Sequence, residues 1–517
     1  MILPADLLPF ALSSSLQTPF KSISLFHSYL FSYWKPLPMI VAAPGLRGLS
    51  QAISSGTSAL RDGISFFRQL PSVLYQAHKE RHATTGNPAL GNRNPWPRQD
   101  LIPYEGTYPR GWKAGGWATG VKRKEGLKDL TLIVSPQHAC TASAVFTTNS
   151  FAAAPVQVSR EIVSSRGSAD KGSIKALVVN SGCANACTGD QGLKDAWEMS
   201  RAVDKVVGIT GNDSKAGTVV MSTGVIGQHL QMDRILAGIT DLSQHVEDTH
   251  NAWLGAAEGI MTTDTFPKLR SQEFTTKGGS YRMAGWSKGA GMIHPNMATM
   301  LSAIFTDVKI SKPCLDSATK YAADRSFNAI SIDGDTSTND TFTVLANGAS
   351  GVVIDKLDSK EFVEFRDNLT AFAAELAKLI VRDGEGATKF VEIQVKSARS
   401  FAEAKTIAST IATSPLVKTA IYGKDANWGR IVCAVGYSGI PITPNKVNLY
   451  VGSPTSDFLH LFKDGAPFDV DEEKAAAILE NEDIIVRIEL GLGSEEAKMY
   501  TCDFSHGYIS INADYRS

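Results

Sequence analysis

Cysteine is scarce in this chain. Cys140, Cys183, Cys187, Cys314, Cys433 and Cys502 are spread over 517 residues, too few and too scattered for a disulfide framework. Cys183 and Cys187 form a CxxxC pair, but no histidine or second cysteine pair lies near enough to complete a zinc site, so no metal is expected. A dominant charge is also missing. The formal net charge is -1, which argues against nucleic-acid binding, because that function needs a basic face. No stretch of roughly 18 uncharged apolar residues occurs, so no membrane span is expected. The loops of nucleotide and hydrolase chemistry are absent as well. There is no Walker A motif, since "RDGEGATKF" carries Gly and Lys but lacks the GxxxxGK[ST] spacing. No GxGxxG follows a strand, and neither HExxH nor GxSxG occurs. "DGDTSTND" from Asp333 starts like an EF-hand loop, but Thr338 stands where that loop needs Gly and Val344 where it needs Glu. No cofactor is expected.

What remains is ordinary globular material, 43% hydrophobic and 20% charged, long enough for two or three domains. The first hundred residues differ. Up to and including Arg98 the only acidic residues are Asp6, Asp62 and Glu80, against nine lysines and arginines and abundant serine. Acid-poor, Arg-containing, Ser-rich leaders resemble mitochondrial transit peptides. "LRGLSQAISSGTSALRDGISFFRQL" has the spacing of an amphipathic helix. A tail without an address is the plain alternative, and Met39 is a possible second start. "TTGNPALGNRNPWPRQD" reads as a linker. Residues 1–101 are therefore expected to be leader and linker, with the folded protein starting near Ile102.

Beyond it, strands and helices alternate. Leu130 to Val134, Ala142 to Thr147, "IKALVVNSG" and "AGTVVMSTGVIG" read as strands. "GLKDAWEMSRAVDKVVGI" has helical spacing, with Ala196, Trp197 and Val203 on its apolar side; "ILAGITDLSQ" and "AWLGAAEGIM" read as helices. Later come strand "LSAIFTDVKI", helix "CLDSATKYAADRSFN", strand "TFTVLANG" and a long helix with Phe362, Phe365, Leu369, Phe372 and Leu376 on one face. Strand "TKFVEIQV" and helix "FAEAKTIASTIAT" follow. "IIVRIELGLG" and "EAKMYTCDF" read as a hairpin-like pair. The mixture favours layered α/β with mixed sheets.

The polar interest lies in slim hydroxyl and glycine clusters. "MSTGVIG" places Ser222 and Thr223 before Gly224. "MTTDTFPK" gathers threonines around Asp264. Such groups can stabilise an oxyanion, although Ser/Thr/Gly loops are also common turns. "KGAGMIHPNMATML", Lys288 to Leu301, is either a buried turn leading into an apolar run or a point where the chain breaks itself between Ala298 and Thr299. His294 is a possible base there or a loop histidine. Taken alone, Lys288 and Glu385 read as solvated charges.

Eight motifs in order decide between these readings: "VVNSGCANACTGDQG", "MSTGVIG", "MTTDTFPK", "KGAGMIHPNMATML", "SIDGDTSTNDT", "DGEGATKF", "IYGKDANWGRI" and "INADYRS". From about Tyr104 to Ser517 the chain resembles the ornithine acetyltransferase family of arginine biosynthesis, also called glutamate N-acetyltransferase. The resemblance implies an α/β/β/α four-layer sandwich, similar to N-terminal nucleophile hydrolases, self-cleaved into an alpha chain (102–298) and a beta chain (299–517). It implies a heterotetramer of two alpha and two beta chains in the mitochondrial matrix. It implies ping-pong transfer of acetyl from N2-acetylornithine to glutamate, with acetyl-CoA as a further donor. Thr299 would be the nucleophile, and Thr223 and Gly224 the oxyanion hole. Thr262 (or adjacent Thr263), Lys288, Thr299, Glu385, Asn512 and Ser517 would contact substrate. Two rivals are a self-processing aminopeptidase of similar fold, with water as acceptor, and a catalytically dead scaffold. "DGEGATK" and "INADYRS" argue against the first, and the retained Thr299 and "STG" against the second.

Overall fold

The computed structural model describes residues 96–171, 174–208, 217–294, 300–468 and 471–514. The expected leader up to residue 95 and the expected site residues Ala298, Thr299 and Ser517 lie outside the described residues. Residues 96–101, read above as the end of the linker, pack against the folded body. Trp96 finds an apolar seat, Arg98 reaches Glu482 at 3.1 Å, and Arg270 donates to the Leu101 carbonyl at 2.8 Å.

Along the chain come β1 (Lys113–Trp117), β2 (Leu130–Val134), β3 (Thr141–Phe146), α1 (Ala154–Arg166), β4 (Ala176–Cys183), α2 (Gly189–Val206), β5 (Val219–Val225), α3 (Met232–Ser243) and α4 (His250–Gly259). The first sheet has the order β1-β2-β4-β5. β2 and the starts of β4 and β5 are largely apolar on both faces, because both are covered. Helices α2 and α3 lie on one side. Helix α4 packs on the other, where Thr131 and Ser181 donate to the Ala256 and Gly259 carbonyls at 2.7 and 2.6 Å. Ala196 and Val203 of α2 are buried as the helical spacing predicts, and Trp197 is half-buried. Ser159 of α1 pairs with both backbone groups of Val220 on β5, which closes that free edge.

Next come β6 (Lys268–Thr276), β7 (Gly279–Lys288), β8 (Leu301–Thr306), β9 (Lys309–Ile310), α5 (Lys312–Arg325), β10 (Ile330–Ser331), β11 (Thr341–Ala346), β12 (Val353–Ile354) and α6 (Lys360–Arg382). The second sheet runs β3-β11-β8-β7-β6. One face carries Ala284, Trp286, Leu301, Ala303 and Phe305 into the core shared with the first sheet. The other carries Met283, Ile304 and Val344 against α5 and α6. Phe305 sits 5.0 Å from Trp112 and 5.6 Å from Trp253 of α4, both edge-on, the geometry aromatic quadrupoles prefer. The expected face of the long helix is buried at Phe362, Phe365, Leu369, Phe372 and Leu376. Its Ser359 cap accepts from the Phe362 N–H at 3.1 Å. The layers are α/β/β/α, with α4 reaching both sheets.

A third sheet follows, not foreseen as a layer. The remaining elements are β13 (Phe390–Ala398), α7 (Phe401–Thr413), α8 (Pro415–Tyr422), α9 (Trp428–Gly436), β14 (Asn448–Gly452), β15 (Leu459–Lys463), β16 (Ala466–Pro467), α10 (Glu472–Glu480), β17 (Asp483–Glu489), β18 (Glu495–Cys502) and α11 (His506–Asp514). The order is β10-β18-β13-β17-β14-β15-β16. The expected terminal hairpin is not one. β13 lies between its two strands, parallel to β17 and antiparallel to β18. Val391, Ile393 and Val395 are fully buried, and a strand of that kind needs partners on both edges. The link between β17 and β18 crosses β13, with Leu490 and Leu492 donating to Lys396 and Ser397 carbonyls at 3.0 and 2.8 Å.

Candidate active site

Thr223 and Gly224 close β5 on the side that faces the second sheet. In register Ser181 pairs with Thr223 and Gly182 with Gly224. Gly224 has φ +133°, and a Cβ there would stand 2.3 Å from the Gly182 carbonyl carbon, so only glycine fits. The strand end is held by buried amides. Asn339 donates to the Ser222 and Ala184 carbonyls at 2.8 and 2.6 Å. Ser222 in turn donates to Asn180 at 2.6 Å.

Lys288 ends β7, opposite Leu301 at the start of β8. Its Nζ donates to Thr223 Oγ1 at 3.1 Å. An ammonium only donates, so Thr223 accepts this bond and keeps its own hydroxyl hydrogen for another acceptor. Lys288 is half-buried rather than solvated. Burial lowers its pKa, with Asp264 the strongest opposing charge, Lys268 lowering it further, and Asp340 and Glu385 raising it. Lys122, nearby, is brought down to about 8 by burial, against Asp129 and Asp264. Asp340 is buried, and burial pushes its carboxyl well above the usual range although Lys288 opposes this. Its Oδ2 has no hydrogen-bond partner among the described residues.

A second group of charges lies behind Lys288. Lys268 Nζ bridges Asp264 and Asp383, each at 2.5 Å, and all three side chains are at most 2% exposed. Asp264 Oδ1 also accepts from the Gly289 N–H at 2.7 Å, and Oδ2 from the Thr262 N–H at 2.9 Å. Burial alone would raise the Asp264 carboxyl, but Lys268, Lys288 and the Gly289 N–H outweigh it and hold the group ionised. Asp383 moves the other way, through burial first, with Asp264 adding to the rise and Lys268 opposing it. Asp383 accepts from the Thr265 N–H at 2.9 Å. Both Thr262 and Thr263 are half-buried.

Glu385 is half-buried too. Its N–H donates to the Ala290 carbonyl at 2.8 Å, and its Oε2 accepts from Asn512 Nδ2 at 2.8 Å. A Cβ on Gly291 would fall 2.3 Å from the same Oε2, so glycine at 291 lets the carboxylate lie on the backbone. Asp333 accepts from the Met292 and Ile293 N–H groups at 2.5 and 2.8 Å and from Tyr508 at 3.4 Å. The EF-hand-like acid therefore anchors a loop. Burial lowers the His294 pKa, and the carbonyl of that residue accepts from Thr336 at 3.3 Å. Among the described residues no group of three metal-ligating side chains forms.

The structure thus joins Thr223, Gly224 and Lys288 through one contact. It joins Lys288 to Thr262 through Asp264, and the Gly289–Gly291 turn to Glu385 and Asn512. The cation lies opposite Leu301 on β8, with the hydroxyl on its Nζ, and the carboxylate lies over the Ala290–Gly291 backbone. Asp264, Lys268, Asp383, Asn339, Asp340 and Lys122 were missed. The signal for Asp264 was its place in "MTTDTFPK", four residues before Lys268. Asp383 opens the motif "DGEGATKF" that contains Glu385.

A model of the ArgJ family matches residues 113–517. The Yarrowia lipolytica protein named arginine biosynthesis bifunctional protein ArgJ, mitochondrial, is 52% identical over 423 residues, covering 81% of this chain and 96% of its own. The Neurospora crassa protein of the same name is 49% identical over 438 residues, with 82% and 92% covered. Among solved structures, the Bacillus halodurans arginine biosynthesis bifunctional protein argJ is 38% identical over 40% of this chain and 96% of that one, with a TM-score of 0.39. The Mycobacterium tuberculosis ornithine acetyltransferase complexed with ornithine is 32% identical over 39% and 98%, with a TM-score of 0.32.

Proposed function

The chain belongs to the ArgJ family, and from that premise we propose the chemistry that its residues perform. It is a mitochondrial enzyme of arginine biosynthesis that moves acetyl from N2-acetylornithine to glutamate. The aminopeptidase weighed above is set aside by that membership.

Thr299 is the nucleophile, first on the chain itself. Its Oγ attacks the Ala298 carbonyl, the C–N bond breaks, and the amide becomes an ester. Water then releases an Ala298 carboxylate and a free Thr299 hydroxyl and amine. That amine has a pKa of about 8 in a model peptide, and it serves as general base for the adjacent hydroxyl. In turnover Thr299 attacks the acetyl carbonyl of N2-acetylornithine. Thr223 O–H and Gly224 N–H take the developing oxyanion, ornithine departs with a proton, and acetyl remains as the Thr299 ester. The amine of glutamate attacks this ester, the acyl C–O bond breaks, the amine's proton returns to Thr299 Oγ, and N-acetylglutamate leaves. Thr262, Lys288, Glu385, Asn512 and Ser517 hold the substrates, with charge-assisted pairs at Lys288 and Glu385.

The observation that carries this reading is the Lys288–Thr223 contact of 3.1 Å, placed opposite Leu301, two residues beyond Thr299 in the sequence. Lys288 fixes Thr223 as an acceptor, which frees its hydrogen for the oxyanion. Intact mass spectrometry with sequencing of each N-terminus tests it. Wild type gives chains ending at Ala298 and beginning at Thr299, while Thr299→Ala stays whole and inactive. A fully active, uncut wild type would overturn the reading. Use of acetyl-CoA and a tetramer of two alpha and two beta chains belong to the same proposal. They are checked by transfer from acetyl-CoA to glutamate and by the mass of the native assembly.

A further inference from the structure

Two carboxylates and a lysine with almost no exposure are an expensive thing to bury. Taking charges out of water costs several kcal/mol per ion, and an apolar replacement often folds as well. Asp264, Lys268 and Asp383 are such a set, with Lys268 held at 2.5 Å from each acid. Where their remaining bonds go is informative. Asp264 takes the N–H of Gly289, the peptide directly after Lys288, at 2.7 Å, and the N–H of Thr262 at 2.9 Å. Asp383 takes the Thr265 N–H at 2.9 Å and lies two residues before Glu385 in the sequence. Each acid grips the backbone of a segment that the proposed function places against substrate.

We propose that Asp264, seated on Lys268 and backed by Asp383, is a positioning residue that keeps Lys288 in place and charged for substrate binding. This rests on the reading of Lys288 as a substrate contact. The groups facing Lys288 are Asp264 and Lys268 from the 262–268 segment, Asp340 from the loop before β11, Glu385 from the loop after α6, and Lys122 from the loop between β1 and β2, a second cation that repels it. Asp264 is the largest favourable charge among them, and it also fixes the backbone from which the lysine projects. Lys268 works against Lys288, and Asp264 shields it.

The two charges predict shifts of opposite sign. Removing Asp264 lowers the Lys288 pKa, so Lys288 discharges at lower pH. Removing Lys268 raises it. Acetyl transfer from acetylornithine to glutamate is measured against pH for wild type, Asp264→Asn, Asp264→Glu and the charge-balanced pair Lys268→Met/Asp383→Asn. Melting curves accompany each. In Asp264→Asn the high-pH rise in KM moves down by about one pH unit, the lower end of what an opposite charge within roughly 4–6 Å produces. Asp264→Glu restores part of it, and the balanced pair moves the limb upward. A uniform loss of activity with an unmoved limb in both the Asn and the balanced variants overturns the proposal. If Asp264→Asn does not fold, the balanced pair decides alone by the direction of its shift. Lys288→Met with unchanged KM for both substrates would remove the underlying reading of Lys288 instead.

Discussion

The two halves of this molecule are filled differently. Around the first two sheets the interior contains Asn180, Ser181, Asp264, Lys268, Asn339, Asp340 and Asp383, all buried. Around the third sheet it is Val391, Ile393, Val395, Leu449, Val486 and Ile488 packed on Ile407 and Ile411. Both solutions make a stable layer, but only the apolar one follows from burial of area. The polar one accepts desolvation in order to hold strand ends and loops at set distances. Its hydrogen bonds end on the backbone of Ser222, Thr262 and Gly289, which border the expected site. The motif residues Glu385 and Asn512 lie at the margins of the third sheet, before β13 and after β18.

If this contrast is right, mutations in the two halves separate turnover from stability. The largest effect is expected at Thr223. Loss of one oxyanion donor typically costs about 10² to 10³ in turnover, roughly 3–4 kcal/mol. Thr223→Ala should lower kcat far more than it raises KM, with little change in melting; an effect confined to KM would make Thr223 a ground-state contact. In the apolar half, Ile488 is fully buried in β17. Ile488→Ala should cost about 2–5 kcal/mol of stability in a denaturant titration, while turnover per folded enzyme stays at the wild-type value. Lost turnover at preserved stability would erase the contrast. A smaller effect is expected at the Ser359 cap, where Ser359→Ala should cost about 1 kcal/mol and leave both KM values unchanged.

The smallest effect concerns one of the buried charges in the apolar half. Lys418 is buried at 1% exposure and donates to Thr501 Oγ1 at 2.9 Å. Burial lowers its pKa despite Cys502, Asp503 and Asp333. The unfolded chain therefore binds more protons than the folded one between the lowered value and the ordinary lysine value. Stability should rise with pH through that window and level off above it. Lys418→Met should flatten this rise in melting temperature measured from neutral to alkaline pH.

The sequence showed the apolar parts of the fold well. Helix α6 announced its face through five spaced side chains, and the buried strands β2, β4 and β5 announced themselves as continuous apolar runs. The hairpin β6–β7 went unread because polar residues such as Ser271, Gln272 and Glu273 dilute its alternation. The pairing of β17 and β18 was misjudged because neighbours in sequence need not be neighbours in a sheet. At the candidate site, Thr223, Lys288 and Glu385 were legible only through the motifs that contain them. Asp264, Lys268 and Asp383 were not, since a charged residue in a sequence does not declare whether it will be wetted. Their burial depends on segments more than a hundred residues apart meeting at one point.

The second sheet has one further consequence. Its order places β8 and β11, which follow residue 299, between β3 and β7, which precede it. A cut between 298 and 299 would therefore leave two polymers in one sheet, two adjacent strands of the second held between strands of the first. Opening them becomes a dissociation, and their stability becomes a matter of concentration. Refolding the cut protein requires two partners to meet, whereas the newly made chain needed only itself. Thermal scans of mature enzyme should rise more steeply with protein concentration than those of uncut Thr299→Ala, which has only its subunit association to lose. The protein would in that sense be assembled once, as a single thread, and kept thereafter as a complex.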